Sequence, residues 1–380
     1  MNNRVSVAWF ASAFLERNAS GTAQTARKII EYLIEKEYSR IQVVLIAKSD
    51  TEVEKILNDK ILSEVKILCF PKVKGSFLKS SRQFYKFALS KNTEKVDILH
   101  FSVPRLYPFY WIFPAKRFFC TFHAGGEFSV PQDKFVMSRH IYNWIAKFQW
   151  RKLDRIFADS EFGLQEIKKF YKIPRSRIEI VYLGADHLWN IPIETTVIHD
   201  SKFNIAIIGR WQKYKNIHTI VEAYLDLEAS NKGDIHLYII GKQNMSGNKL
   251  VQKVIEKVPQ ENISIFNYLT DGELKYIYQN VQLVIHPSIN EGFGLPAFEA
   301  FGEGAPVAVH NGLPADQYLA SQSQVYVLDM KNKNSVLELL KNRNNITRTN
   351  DNSRKKFLID NSMTWDKMCA EYVNYYLSNR

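Results

Sequence analysis

The stretch Ser288 to Val309, SINEGFGLPAFEAFGEGAPVAV, decides how this chain is read. An apolar run, Val281 to His286, leads into Glu291-Gly292-Phe293-Gly294-Leu295, and Pro296 then falls in the first turn of a helix that contains Glu299. Proline suits that position because the N–H it lacks would have no partner within the helix. Gly292 and Gly294 bare backbone N–H groups, and the helix N-terminus adds a partial positive charge, so the turn is expected to cradle an anion. Glu299, one turn inside the helix, can accept both hydroxyls of a ribose, while Glu291 faces whatever lies beyond the phosphates. A diol on each flank of a diphosphate outlines a nucleotide sugar. The plainer alternative is a Gly-rich helix cap with solvated glutamates.

Working back along the chain, Phe203 to Ile208 reads as a buried strand ending in Gly209-Arg210, followed by Lys215-Asn216 and a helix from near His218. Two cations on one strand-to-helix loop can neutralise a diphosphate, and Gly209 lets the backbone come close. Further strands are expected at Ile235 to Ile240, Ile263 to Phe266 and Ala305 to Val309. The first half repeats the alternation. Strands are expected at Val5 to Phe10, Ile41 to Ala47, Val65 to Phe70, Val96 to Phe101, Phe118 to His123 and Arg155 to Ala158. Helices are expected at Thr25 to Glu37, Gln83 to Ser90, Met137 to Leu153 and Phe162 to Tyr171. Strand–helix alternation means parallel sheets. Residues 185–202 lose periodicity and read as a linker. The expected fold is α/β: two doubly wound Rossmann-like domains, residues 1–185 and 186–362, facing across a cleft, with ligands beyond the carboxyl ends of the strands.

The chain has 380 residues, 46% hydrophobic, 24% charged and 13% aromatic, which excludes disordered and fibrous classes. No apolar stretch is long enough to span a bilayer. Val5 to Leu15 could pass for a signal-peptide core, but a first buried strand explains it as well. Cys69, Cys120 and Cys369 lie far apart, without metal-site or disulfide spacing, and suggest a reducing compartment. The formal charge of +12 sits wholly in residues 1–190, with 31 Lys and Arg against 19 Asp and Glu. Residues 65–93 hold Lys66, Lys72, Lys74, Lys79, Arg82, Lys86 and Lys91, no acid, and five interleaved aromatic residues. On a helix Phe77, Phe84 and Ala88 share one face, and Lys79, Arg82 and Lys86 another, as a helix lying on anionic lipid would. Aromatic packing on the core beneath a solvated basic face, or a nucleic-acid surface, would give the same pattern.

With these motifs in order, the chain resembles the family-4 retaining glycosyltransferases, the glycosyl transferases group 1 of the GT-B fold. The resemblance also draws on Leu153 to Asp186 (LDRIFADSEFGLQEIKKFYKIPRSRIEIVYLGAD), on Phe266 to Ser288 (FNYLTDGELKYIYQNVQLVIHPS) and on MTWDKMCAEYVNYY, which is similar to the family's final helix crossing back onto the first domain (residues 363–380). It implies an acceptor-binding first domain and a second domain that binds a UDP- or GDP-sugar. Arg210 and Lys215 would hold the diphosphate and Glu299 the ribose. Glu291 would hold the donor sugar, with the amides of Phe293, Gly294 and Leu295 assisting, and Tyr268 and Leu269 would lie near the base. His123 would face the sugar and its developing charge, and Gly21 would lie in the loop near the phosphates.

The activity implied is transfer of a sugar, with retention and without metal or other cofactor, to a glycan or lipid-linked acceptor. The setting implied is synthesis of a bacterial surface polysaccharide (O-antigen, capsule or lipopolysaccharide) at the cytoplasmic face of the membrane, and nucleic acid is not an expected partner. Alternatives are another nucleotide-sugar enzyme of this fold, such as an epimerase, or a nucleic-acid-binding protein. The sequence departs from the family in having Ser20-Gly21-Thr22 where paired glycines are common, and Ala124-Gly125-Gly126-Glu127 where an acid directly follows the histidine. Arg105 to Phe119 is unusually aromatic, as suits either an acceptor wall or core packing.

Overall fold

The computed structural model describes residues 4–10, 21–37, 39–47, 64–70, 77–91, 93–124, 137–229, 234–242, 249–348 and 352–378. Strand β1 (Val5–Phe10) pairs in parallel with β2 (Ile41–Ala47) on one side and β4 (Val96–Phe101) on the other, and Val7, Ala8 and Trp9 are buried. Completed by β3 (Lys66–Cys69), β5 (Ala115–Phe122), β6 (Arg155–Ala158) and β7 (Ile178–Ile180), the sheet has the order β3-β2-β1-β4-β5-β6-β7. Covered on both faces, its central strands can be continuously apolar. The connecting helices are α1 (Gly21–Lys36), α2 (Phe77–Ala88), α3 (Met137–Gln149) and α4 (Glu161–Tyr171). Helix α1 buries Ala23, Ala26, Ile29, Ile30, Leu33 and Ile34, the three-and-four spacing of a single apolar stripe.

A second parallel sheet has the order β10-β9-β8-β11-β12-β13, built from β8 (Phe203–Ile208), β9 (Ile235–Ile240), β10 (Ile263–Phe266), β11 (Leu283–His286), β12 (Val307–His310) and β13 (Val325–Leu328). Its helices are α5 (Ile217–Glu228), α6 (Lys249–Ile255), α7 (Asp271–Asn280), α8 (Leu295–Gly302), α9 (Pro314–Leu319), α10 (Lys333–Lys341) and α11 (Ser353–Asp360). Thr270 and Glu273 form a reciprocal capping box at the start of α7. The chain divides into two compact units: the first reaches Leu183 and takes in residues from Trp365 onward, and the second runs from Gly184 to Thr364.

The last helix, α12 (Trp365–Leu377), belongs to the first unit. It packs on α1, where Lys36 Nζ meets Asp366 at 2.6 Å, and its tyrosines reach the sheet. Tyr376 Oη is 2.7 Å from His100 Nδ1, His100 Nε2 is 3.0 Å from Thr121 Oγ1, and Tyr372 Oη is 3.0 Å from the same hydroxyl. Each of these buried polar groups has a partner, as burial demands.

Several expected boundaries shift. The helix expected at residues 83–90 begins at Phe77, that expected at 137–153 stops at Gln149 before a 3-10 turn (Trp150–Lys152), and the strand expected at 118–123 begins at Ala115. Strands β7 and β13 were not expected; they are short edge strands, and the three- and four-residue pairings depend on neighbours β6 and β12. Among the described residues no helix is long and apolar enough to cross a membrane.

Candidate active site

In the second sheet the chain runs outward from β8 through β9 to β10, then returns to place β11 on the other side of β8. Ligands of such sheets bind at this reversal, outside the carboxyl ends of the strands. Strand β8 ends at Gly209-Arg210 and β11 ends at His286, so both motifs read from the sequence emerge at the same point. Gly241, just past β9, makes room for them. A Cβ there would lie 2.2 Å from the Gly209 carbonyl oxygen, so no larger residue fits without moving backbone.

The two loops are joined by hydrogen bonds. A 3-10 turn, Lys213–Lys215, accepts at the Tyr214 carbonyl from the Ile289 amide at 2.9 Å and from Ser288 Oγ at 3.4 Å. This brings Lys215 Nζ into an ion pair with Glu291 Oε1, both side chains being largely buried. Burial alone would raise the Glu291 carboxyl, but the Lys215 charge and the nearby His286 ring hold it far below the usual carboxylate range. Burial likewise works to lower Lys215, and the Glu291 carboxylate overrides it, so the ammonium is held above its ordinary value. Arg210 stands close enough to oppose that charge.

Gly294 caps α8 with φ 88° and ψ 41°, the left-handed region where L side chains are strained. Gly292 does not have positive φ, so only Gly294 is required by backbone conformation. Beyond the cap, the first helical N–H groups have no intrahelical acceptor, and Pro296 has none to offer. Glu299 lies on α8 with its side chain 7% exposed, and burial raises its carboxyl above the ordinary range. The Phe293 ring stacks on Phe298 at 4.4 Å. Past β10, Tyr268 is exposed while Leu269 is buried. Arg210, Lys215, Glu291, Gly292, Phe293, Gly294, Leu295 and Glu299 thus share one edge of one unit.

In the first unit, His123 follows β5. Its Nδ1 lies 2.6 Å from Asp159 Oδ2, and its Nε2 lies 3.0 Å from the Ser102 carbonyl oxygen. Both ring nitrogens face acceptors, an arrangement that suits the doubly protonated ring. Burial opposes the charge, but Asp159 and the Ser102 carbonyl hold the ring above the usual histidine value. Both ring nitrogens are thus engaged within the first unit. Gly21 opens α1, and a Cβ there would meet nothing within 4 Å, so the described residues do not require glycine. Ser20 and Gly125, Gly126 and Glu127 lie outside the described residues.

The basic aromatic stretch is corrected in one respect. On α2, Phe84 and Ala88 are buried, and Phe77, Tyr85 and Phe87 pack against the core; Phe84 stacks on Tyr107 at 4.4 Å. Its apolar face therefore belongs to the core, and Lys79, Arg82, Lys86, Leu78 and Leu89 point outward. In Arg105 to Phe119, Leu106, Tyr110, Phe113, Phe118 and Phe119 are buried, which is core packing, and Phe109 alone of the large hydrophobic residues is strongly exposed. Lys72 and Lys74 lie outside the described residues.

Four residues near the predicted ones had no role in the sequence reading: Asp159, His187, Tyr278 and His286. Asp159, Tyr278 and His286 lie inside quoted motifs and His187 lies in the expected linker, but only proximity in space singles them out.

Comparison with known proteins places these observations. The family model described as glycosyl transferases group 1 matches residues 193–356, and that described as glycosyltransferase family 4 matches residues 19–187. The O-antigen chain mannosyltransferase B of Escherichia coli is 27% identical over 214 residues, 53% of this chain and 55% of that protein. The chain spans about half the length of the curated relatives it matches. A glycosyltransferase structure from Rickettsia africae aligns over 100% of both chains with a TM-score of 0.70 at 18% identity. HepE of Anabaena, solved in complex with UDP and glucose, aligns over 98% of this chain and 99% of its own with a TM-score of 0.69 at 12% identity. Likeness at these identities speaks for the fold.

Proposed function

Because the chain belongs to the group 1, family-4 glycosyltransferases and has their GT-B fold of two Rossmann-like units, we propose that it moves a sugar from a nucleotide-sugar donor to a glycan or lipid-linked acceptor during assembly of a bacterial surface polysaccharide. The observation that carries this reading is the convergence of Arg210, Lys215, Glu291 and Glu299 at the reversal of the second sheet, around the Gly294 cap. Relatives named as mannosyltransferases support a surface glycan as product and make mannosyl donors the first to test.

In this reading the diphosphate lies against Arg210, Lys215 and the first turn of α8. Glu299 takes the ribose diol and Glu291 a hydroxyl of the sugar. As the nucleoside diphosphate leaves, negative charge grows on its phosphate oxygens and positive character on the anomeric carbon. Cations already in place need no reorganisation to meet that charge. The acceptor hydroxyl attacks from the face the leaving group vacates, its proton passes to a leaving phosphate oxygen, and configuration is retained. No metal is needed in this scheme, since Arg210 and Lys215 supply the positive charge.

A thermal-shift screen of UDP, GDP and their sugars tests it. A true donor at 100 times its Kd stabilises by about 2.7 kcal/mol, and Glu299→Ala is expected to abolish that shift at equal ligand concentration. Unchanged shifts in the variant would remove Glu299 from the site.

The reading includes a peripheral position on the cytoplasmic face of the cell membrane. Supporting it, residues 77–91, 103–114 and 137–153 carry nine Lys and Arg and no Asp or Glu. Their elements adjoin: Phe77 and Tyr142 rings are 5.0 Å apart, and the Phe109 amide donates to Gln149 Oε1 at 3.1 Å. The apolar groups free to enter lipid include Leu78, Leu89, Phe109, Met137, Trp144 and Phe148, each more than half exposed. At about 1 kcal/mol per cation near an anionic surface, changing Lys79, Arg82 and Lys86 together to Ala is expected to weaken vesicle binding about a hundredfold. Flotation with phosphatidylglycerol vesicles measures it, and unaltered flotation would remove the membrane from the proposal.

A further inference from the structure

His187, Tyr278 and Glu299 meet inside the second unit although the sequence holds them far apart. Glu299 Oε1 lies 3.3 Å from His187 Nδ1, and Tyr278 Oη donates to Glu299 Oε2 at 3.5 Å. The His187 side chain is 7% exposed, and its Nδ1 is buried without a hydrogen-bond partner. A buried ring nitrogen left unpaired is costly, so one that lies 3.3 Å from a carboxylate calls for an explanation.

The turn that carries His187 is pinned. Lys275 Nζ, on α7, donates to the carbonyl oxygens of Trp189 and Ile191 at 2.9 Å each. Within the turn the Trp189 amide bonds the Asp186 carbonyl and the Ile191 amide bonds that of Leu188, both at 3.1 Å, while the Ala185 amide bonds the Met363 carbonyl at 3.0 Å. One face of α7 therefore fixes the His187 turn through Lys275 and, one helical turn on, supplies Tyr278.

We propose that His187 is a positioning residue that, with Tyr278, orients the Glu299 carboxylate to accept a vicinal diol, and so sets preference for ribose over deoxyribose in the nucleotide. The inference rests on Glu299 as the ribose acceptor. A small rotation brings His187 Nδ1–H onto Oε1, and the lone pairs left open then face the ligand. Without the histidine the carboxylate is free to turn, and it also protonates more readily. Burial holds its carboxyl above the ordinary range; His187 and the Tyr278 hydroxyl oppose this, and Asp271 adds to it.

Titration calorimetry with UDP and GDP, each beside its 2′,3′-dideoxy counterpart, tests the proposal on the whole chain. Wild type should favour the ribonucleotide at least tenfold, and His187→Ala should erase most of that preference while leaving dideoxy binding unchanged. His187→Gln, which keeps an N–H donor, should restore part of it, and His187→Met, nearer in volume, should behave as the alanine variant does. Ribonucleotide affinity falls as pH drops through the Glu299 titration, and this acid limb should lie at higher pH in His187→Ala. Equal losses for both sugars, or an acid limb that stays in place, would overturn the role of His187. If Glu299→Gln loses the preference and His187→Ala keeps it, only the histidine proposal fails. If wild type binds both sugars equally, the reading of Glu299 fails with it.

Discussion

Replacing Lys215 with Met is expected to lower kcat by about 10² to 10³, the cost of removing one preorganised donor from a developing anion. The physical reason is local. Lys215 Nζ is largely buried and its charge is guaranteed by Glu291, so in the wild type it costs nothing to meet the departing diphosphate. Its loss also leaves the Glu291 carboxylate with His286 alone, 3.5 Å away, and exposes negative charge to an anionic donor. Lys215→Met should therefore raise KM as well as lower kcat. Arg210→Ala removes a cation and should act chiefly on kcat, whereas Glu299→Ala should act on KM. Coupling Lys215→Met with Glu291→Gln should recover part of the KM loss and none of the turnover. Steady-state kinetics with the donor found by thermal shift decide this, and small equal effects from Lys215 and Arg210 would contradict the assignment.

The second large effect concerns stability. His123→Ala strands the Asp159 carboxylate, 3% exposed, without its 2.6 Å partner. Breaking a buried pair by removing one member typically costs about 3–5 kcal/mol. A unit of this size loses about 2–4 °C in Tm per kcal/mol, so the melting temperature should fall by roughly 6–20 °C. Replacing both residues with Leu should cost less than His123→Ala alone, since no charge is then left unpaired.

The same pair has a pH signature. The folded pKa of His123 is raised, so its protonation stabilises the fold fully below the unfolded value of about 6.5, and that stability is lost as pH rises through the folded value. The gap in Tm between wild type and His123→Ala should accordingly be widest in mild acid and narrow above neutrality. A gap that widens with rising pH would show that His123 is not held as a cation.

The sequence made some of this legible because the relevant physics is local. EGFGLP followed by Glu299 is a strand end, a left-handed glycine cap and a helix N-terminus within a dozen residues, and short-range conformational preference suffices to build it. The largely apolar runs of β1, β8 and β9 suit buried parallel strands, although the first also fits a signal-peptide core until its pairing is seen. Strands β7 and β13 were invisible for the converse reason: at three and four residues and partly exposed, they have no pattern of their own and exist because β6 and β12 offer unpaired edges. The helix α2 pattern was ambiguous in principle. An amphipathic face matches a membrane and a protein core equally well, and only Tyr107, Phe113 and Tyr142 show which surface its aromatic residues met.

What the chain determined by itself is the α/β alternation, the glycine-capped turn and the kinds of residue, two cations and two acids, that gather around it. What tertiary structure alone decided is their state. Glu291 is ionised because Lys215 reaches it across 76 positions, His123 holds a proton more readily because Asp159 and Ser102 face its two nitrogens, and Glu299 lies beside a histidine from a turn that α7 holds in place. Charge and hydrogen bonding depend on distance in space and on exclusion of water, and neither is written in the spacing along a chain.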